Sequence, residues 1–382
     1  MNIESFQQEF RRTYGSDPLL FRAPGRVNLI GEHTDYNDGF VIPAAIDFYT
    51  WVAISRRDDS VINIRSHAFD ESVAISLDRV LEPKGKWHDY VVGVIDEILL
   101  SGKGIRGADM LIHSEVPIGS GLSSSAAVEE ASGISLLAGN KYPIDRKELA
   151  LLCQRAENNF VGMRCGIMDQ FASCNGTRDH ALMLDCRSLD FTLLPLSPAS
   201  RLVICNTMVR HELASGEYNR RRQECEEGVR ILSSFIPGIK ALRDVSLRQL
   251  ESYRDQLPEV IYRRCRHVVS ENDRVQQAAS LLRKGDLSGF GKLMAQSHAS
   301  LRDDYEVSCR ELDMMVEIAR RQPGVYGARM TGGGFGGCTV NLVAAEKAES
   351  FRGEVAAEYQ QAIGLKPDVY ISSAADGAAQ VQ

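Results

Sequence analysis

The chain has 382 residues, 44% hydrophobic and 25% charged, the proportions of an ordinary globular protein with room for two domains. A formal net charge of −7 argues against a nucleic-acid binder, which would normally show a basic face, so any anionic ligand must be held by local geometry. Nine cysteines without a Cys-x-x-Cys pair suit free thiols in a reducing compartment, and the sequence shows neither a signal-peptide core nor an apolar run of membrane-spanning length; a cytoplasmic location is expected.

Ile3 to Tyr14 reads as a short helix leading to Phe21-Arg22-Ala23-Pro24. The run Gly25 to Tyr36 follows, polar and glycine-bearing, with Arg26, Glu32, His33 and Asp35 in it. Its flanks Val27, Leu29, Ile30, Val41 and Ile42 point to a loop held against a core rather than a solvated one. Carboxylates held that way can accept paired hydroxyl hydrogen bonds, as polyol recognition requires. A metal fits less well, because no second histidine lies at ligand spacing. Tyr49 to Ser55 and Val61 to Ser66 predict strands around a turn at Asp58-Asp59-Ser60, with a third strand over Val73 to Leu77. Trp87, Tyr90, Val91, Val94, Ile95, Ile98 and Leu99 recur at helical spacing and predict a helix with one buried face.

Ala108 to Val116 alternates as a strand and ends at Pro117-Ile118-Gly119-Ser120-Gly121-Leu122-Ser123-Ser124-Ser125-Ala126-Ala127. Ala126, Ala127, Val128, Ala131, Ile134, Leu137 and Ala138 then form a small apolar helical stripe. Glycines allow a tight turn and close backbone approach, and serines at a helix start meet free N–H groups and a positive dipole end. The turn is therefore either a phosphate cradle or an ordinary loop; it is not a Walker A loop, since no Gly-Lys-Ser/Thr follows. Asp145 with Glu148 predicts a capped helix whose stripe is Leu149, Leu152, Cys153, Ala156 and Phe160, stopping at Gly162. Glu157 borders that stripe, and either pairs with Arg155 or Arg164 or does chemistry. Asp169, in Cys165 to Gln170, is a helix cap, an ordinary hydrogen-bonded aspartate or a catalytic group. Leu194 to Ser200 marks a boundary, and beyond a strand at Arg201 to Cys205 the chain is mostly helical until Val325. It closes as strand, glycine loop, strand, helix and strand, the loop being Gly332-Gly333-Gly334-Phe335-Gly336-Gly337. Five glycines around one aromatic are either a tight turn or backbone passing close to something. Histidines other than His33 carry no ligand pattern and read as structural, and the whole reads as α+β.

Together these stretches resemble the GHMP kinases. Pro117 to Ala126 is similar to that family's ATP loop, and Gly332 to Gly337 to its C-terminal glycine motif. More narrowly, Gly25 to Tyr36 resembles the signature of the galactokinase branch, as do Cys165 to Gln170, Leu184 to Leu189 and Glu217-Tyr218-Asn219. The resemblance implies an N-terminal mixed-sheet domain over 1–198 and a C-terminal ferredoxin-like domain over 199–382, with the active site between them. It implies ATP and galactose as substrates, Mg²⁺ as cofactor, phosphorylation of the anomeric hydroxyl, and a monomer or weak homodimer with no nucleic-acid or membrane partner. By motif position Asp169 falls on the proposed base and Arg26 on its positively charged neighbour. Glu32, His33, Asp35, Gly166, Asp169 and Tyr218 fall on the sugar site. Gly119, Ser120, Gly121, Leu122, Ser123, Ser124, Ser125 and Ala126 fall on the ATP loop, with Ser125 and Glu157 on Mg²⁺. Gly332, Gly333, Gly334, Gly336 and Gly337 make the glycine-rich loop. Ala127, Glu130 and Gly216 depart from the family pattern; the first two bear on helix packing, the third on rigidity near the sugar. An N-acetylgalactosamine or arabinose kinase, or a sugar-and-ATP sensor without turnover, are the other readings; a sensor should have lost one of Ser125, Glu157 and Asp169, and all are present.

Overall fold

Phe6 and Phe10, four residues apart, are the buried side of helix α1 (Ile3–Tyr14), which Asn2 caps and a left-handed Gly15 ends. The computed structural model describes residues 1–210 and 214–381. After α1 come strands β1 (Leu19–Asn28), β2 (Phe40–Val41), β3 (Pro43–Arg56), β4 (Val61–Ser66) and β5 (Glu71–Ser76). Helix α2 (Asp89–Leu100), strand β6 (Ala108–Ser114) and helices α3 (Ser124–Gly139), α4 (Arg146–Arg155) and α5 (Met168–Asn175) follow. Strands β7 (His180–Asp185), β8 (Phe191–Pro195) and β9 (Ser200–Arg210) lead to helices α6 (Ala214–Leu232), α7 (Leu247–Ser252), α8 (Glu259–Arg283), α9 (Leu287–Asp303) and α10 (Arg310–Arg321). Strands β10 (Val325–Thr331) and β11 (Gly336–Ala344), helix α11 (Ala348–Ile363) and strands β12 (Asp368–Ser372) and β13 (Ala379–Val381) complete the chain.

The first sheet has the order β13-β1-β3-β6-β4-β5, antiparallel except for the parallel β4–β6 pair. Its inward residues, among them Val52, Ile54, Ile64, Met110 and Ile112, pack with Val91, Ile95, Ile134, Leu149 and Phe171 of the helices. Phe6 and Phe10 of α1 pack on the other face with Leu20, Trp51 and Leu111. β2, β7 and β8 form a small second sheet. The third sheet, β10-β11-β9-β12, is wholly antiparallel, and with its helices has the βαββαβ order of a ferredoxin-like unit. One cluster joins the two halves: Val27, Leu29, Ile30 and Ile42 pack with Ile204, Val340, Val275 and Met294. The boundary expected after Pro198 is crossed at the C-terminus, where β13 pairs with Leu20 to Arg22 of β1. Three residues are too few to show a period, and an edge partner is not visible from composition.

Candidate active site

The turns marked by the motifs open at the junction of the halves, except Leu184 to Leu189, which does not line the cavity. The exit of β1, the β6–α3 turn, the segment between α4 and α5, the start of α6 and the β10–β11 loop surround a cavity of about 430 Å³. Its walls include Arg26, Glu32, His33, Asp35, Gly119, Gly121, Ser123, Ser124, Ser125, Glu157, Asp169, Tyr218 and Gly332 to Gly334.

The serine loop is shaped by left-handed residues: Gly119 at φ 68°, Gly121 at 80° and Ser123 at 60°. Ser120 and Leu122 are not in the wall. The Ser120 hydroxyl donates to the Pro117 carbonyl at 2.6 Å, and Leu122 is buried in the joining cluster. Ala126 is wholly buried behind the loop. α3 starts at Ser124, so its first free N–H groups and its positive dipole end lie beside the cavity. That is the chemistry of a phosphate cradle.

Arg26 locks this loop to Asp169. Its Nη1 donates to the Gly121 carbonyl at 2.6 Å, while Nε and Nη2 donate to the two oxygens of Asp169, each at 2.8 Å. A planar guanidinium fork fixes both position and angle of a carboxylate. Ser123 adds a third donor, its hydroxyl reaching Asp169 Oδ2 at 2.7 Å. Asp169 is thus in the first turn of α5, whose cap position is Ile167, and its partner is remote in sequence. Burial alone would lower the Arg26 pKa, but Asp169, Glu32 and Asp35 together raise it.

The polyol side is built from the loop after β1. Glu32 accepts the Gly332 N–H at 2.8 Å and lies 3.6 Å from buried Arg329, so it ties the signature to the glycine-rich loop. Burial raises its carboxyl above the ordinary range, with Arg329 and Arg26 pulling the other way. His33 holds φ 63°; its Nδ1 is 2.8 Å from the Tyr36 hydroxyl, and its buried Nε2 has no partner of normal geometry, with the Gly333 backbone nearby. Burial, with His267 and Arg221 adding to it, pushes its pKa well down, so the ring is neutral at pH 7. Asp35 is pushed up to about 7 by burial and then by Asp169. Gly166 is not in the wall; a Cβ there would run into the Asp35 carboxylate, which is why that position must be glycine. The Tyr218 ring lies 5.5 Å from those of His33 and Tyr36 and closes this end.

Glu157 sits in a wide π-type turn (Ala156–Val161) continuing α4, ended by a left-handed Gly162. Such a turn inserts a residue into the helical register and turns a side chain outward, and it recurs at functional sites. Neither nearby arginine pairs with Glu157: Arg155 goes to Glu97 and Arg164 to Glu226. Its neighbours are the Ser125 hydroxyl, the Gln170 amide and the Cys165 thiol, and burial followed by Asp169 pushes it up to about 7. Two hard oxygen donors, a carboxylate and a hydroxyl, face one space with no basic side chain neutralising them, which fits Mg²⁺ held partly by phosphate. Among the described residues no cluster of three or more His, Cys, Asp or Glu makes an all-protein metal cage.

Gly332 and Gly337 carry φ of 85° and 80°, and a Cβ on them would approach Gly121 O at 2.8 Å and Ser120 O at 2.7 Å. The glycine-rich loop is both the turn between the paired strands β10 and β11 and backbone passing close to backbone, so the two alternatives read from sequence hold together. Gly336 and Gly337 belong to β11 and support the loop from behind.

Sequence reasoning missed the far end of the cavity, lined by Thr50, Ser66, Phe69, Trp87, Tyr90 and Ser114. Trp87 and Phe69 stack with ring centroids 5.3 Å apart. Trp87 and Tyr90 read as part of a core stripe, and periodicity tells that a face is covered, not by what. His267 bears out a structural reading, wedged between Ser300 and the Glu32 carbonyl, whereas His211 lies outside the described residues.

Comparison with known proteins agrees with this geometry. The galactokinase galactose-binding signature matches residues 8–56, the N-terminal domain of GHMP kinases 89–177, and the C-terminal domain 278–361. A galactokinase of Roseiflexus sp. (strain RS-1) is 48% identical over 100% of this chain and 98% of its own length. One from Glaesserella parasuis is 45% identical over 98% of each. The crystal structure of Lactococcus lactis galactokinase complexed with galactose superposes with a TM-score of 0.96 at 36% identity, covering 99% of this chain and 100% of that one. Methanococcus jannaschii mevalonate kinase, at 19% identity and a TM-score of 0.68 over 95% of this chain and all of its own, shares the fold. With signature, both domains and full-length relatives in agreement, the chain belongs to the galactokinase branch of the GHMP kinase family.

Proposed function

We infer that the protein transfers the γ-phosphoryl group of ATP to the anomeric hydroxyl of galactose, giving galactose 1-phosphate and ADP. One observation carries this reading: the Arg26–Asp169–Ser123 junction stands between a phosphate cradle and a carboxylate-lined polyol cleft in a single cavity. Phosphoryl transfer asks a protein chiefly to position the reactants and to stabilise charge. The serine loop and the α3 N-terminus receive the phosphates, and the base lies toward Thr50, Ser66, Trp87, Tyr90 and Ser114. Galactose lies against Glu32, His33, Asp35 and Tyr218. Asp169 takes the proton of the anomeric hydroxyl as that oxygen bonds to phosphorus and the bond to ADP breaks. The proton goes to a carboxylate that the Arg26 guanidinium faces closely, Nε and Nη2 both lying 2.8 Å from Oδ1. The Arg26 guanidinium offsets charge on the transferring group and holds the base in place.

Ser125 and Glu157 are the residues that would hold Mg²⁺, which when bound neutralises charge on the β- and γ-phosphates. The catalytic unit comprises domains 1–198 and 199–382, with β13 returned to the first, and works as a monomer or weak homodimer in the cytoplasm. Among the described residues no helix is long and apolar enough to cross a membrane. The test is coupled ADP release across galactose, N-acetylgalactosamine, glucose, arabinose, homoserine and mevalonate. Galactose is expected to give the highest kcat/KM; faster turnover of homoserine or mevalonate overturns the assignment.

A further inference from the structure

Gln170 follows Asp169 on α5 and is wholly buried. Its amide nitrogen donates to Glu157 Oε2 at 2.6 Å and to Glu129 Oε2 at 3.0 Å. An amide nitrogen carries two hydrogens, so both are committed to carboxylates, and the orientation of the amide follows from having two acceptors on one side. The Gln170 carbonyl oxygen and Glu129 Oε1 are left buried without partners. Glu129 lies on α3 four residues after Ser125, which puts the two on one helix face a turn apart. Ser125 and Glu157 line the cavity; Glu129 stands behind them and does not.

Glu129 has no arginine or lysine partner among the described residues, and its side chain is fully enclosed. A buried carboxyl group with one oxygen unsatisfied is destabilising relative to an apolar side chain of similar volume. Folding gives no reason for an acid there. Position does: the amide it anchors makes the shortest contact to Glu157 Oε2, with the Cys165 thiol farther off at 3.7 Å, and groups one layer behind a metal ligand set its orientation.

We propose that Glu129 is a positioning residue for the Mg²⁺ carboxylate, holding the Gln170 amide so that Glu157 Oε2 is pinned and its other oxygen is left for the cation beside Ser125. This rests on Ser125 and Glu157 being the metal ligands. The acceptor oxygen of Glu129, not its charge, carries the effect, because the contact is one amide hydrogen bond.

The experiment uses the full chain with Mn²⁺ as the probe and a non-hydrolysable ATP analogue, free Mn²⁺ being read by electron paramagnetic resonance. Galactose affinity of each variant is measured by calorimetry. Glu129→Leu and Gln170→Met are expected to weaken Mn²⁺ binding by roughly 10-fold, at the lower end for loss of a group behind a metal ligand. Glu129→Gln keeps an acceptor at the same place and should bind Mn²⁺ as the parent does, and galactose affinity should move less than about twofold in all three. Should Glu129→Leu fail to fold, Gln170→Met and Glu129→Gln decide the matter. Unchanged Mn²⁺ affinity in Gln170→Met overturns the proposal, as does galactose affinity falling in parallel with it. Loss in Glu129→Gln equal to that in Glu129→Leu overturns it too, since the charge would then act directly. Glu157→Gln separates the two layers: if it also leaves Mn²⁺ binding intact, the metal assignment itself falls, whereas its loss alone removes only the relay.

Discussion

Asp169 has three donors on two oxygens, from Arg26 and Ser123, and that crowding separates its roles as base and as anchor. Asparagine preserves the shape, but its amide nitrogen faces donors where an oxygen accepted them, and it cannot take a proton. Asp169→Asn should lower turnover by about 10²–10⁴-fold, the usual size of a general-base contribution. Galactose affinity measured without turnover should change far less. A variant keeping more than about a tenth of parental turnover would make Asp169 a positioning group. Asp35 offers a separate handle, since its carboxyl is pushed up to about 7 by burial and the neighbouring Asp169. Sugar hydroxyls are donors, so binding favours the ionised form, and below that pH binding has to expel a proton. Galactose affinity should therefore fall as pH drops from 8 to 6, by at most about 10-fold per pH unit on linkage grounds. Asp35→Asn should bind about 10- to 150-fold more weakly, the value of one charged hydrogen bond, and lose that pH dependence. Calorimetric titrations at three pH values settle it: a pH slope surviving in the asparagine variant would assign the proton elsewhere.

Helix α3 shows what an element can conceal. Its period is weak, since Ala126, Ala127, Glu129, Glu130, Ala131, Ser132, Gly133, Ile134, Ser135, Leu136 and Leu137 are all buried. Glu130 stood out in the sequence only as a departure where an apolar residue was expected. In the structure neither of its oxygens has a partner of normal geometry, and its closest moderating neighbours are the Cys174 and Cys153 thiols and Arg146. Burial pushes its carboxyl up to about 8, from an ordinary value near 4.5. A raised folded-state pKa means that folding takes up a proton, so stability is full at low pH and declines as pH rises from the unfolded value through about 8. Glu130→Met removes that decline. Its stabilisation over the parent in urea melts should grow from pH 5 to pH 8, by up to about 4 kcal/mol. An equal increment at both pH values would show that the carboxyl does not titrate in the core. The same contrast marks what was legible elsewhere. α1, the long strands and the stripe of α2 follow from period and capping, which depend on neighbours in sequence. Glu157 was visible as an acid on a helix edge, but the π-type turn that turns it outward was not. Gln170 and Glu129 read as ordinary helix positions, because what distinguishes them is a hydrogen bond between helices 41 residues apart in the chain.

At the scale of the molecule, the site exists only where the halves meet, and beside the apolar cluster that joins them the two loops of the site meet backbone on backbone. The glycine-rich loop between β10 and β11 rests on the serine loop, and Gly332 is the point of contact: its N–H donates to Glu32 at 2.8 Å while its Cα faces Gly121. One residue thus touches the phosphate cradle and the polyol cleft together. Gly332→Ala introduces a Cβ 2.8 Å from Gly121 O and 3.2 Å from its Cα, at a φ of 85°. The left-handed strain alone costs roughly 1–2 kcal/mol, and the contact is relieved only by moving one loop off the other. A displacement on the order of 1 Å in a positioned site costs about 100-fold in rate. We expect kcat/KM to fall by at least about that factor for both substrates, with KM for ATP and for galactose rising together. Gly364→Ala is the matched control, because Gly364 ends α11 at the same φ of 85° and a Cβ there would meet nothing within 4 Å. It carries the same backbone strain without the contact, so it should lower thermal stability and leave both KM values alone. Steady-state kinetics with thermal melts of the two variants distinguishes contact from strain. Equal effects on melting with no difference in kinetics would mean that the loops can part without disturbing the reactants, and that the site is positioned by Arg26 and Glu32 alone.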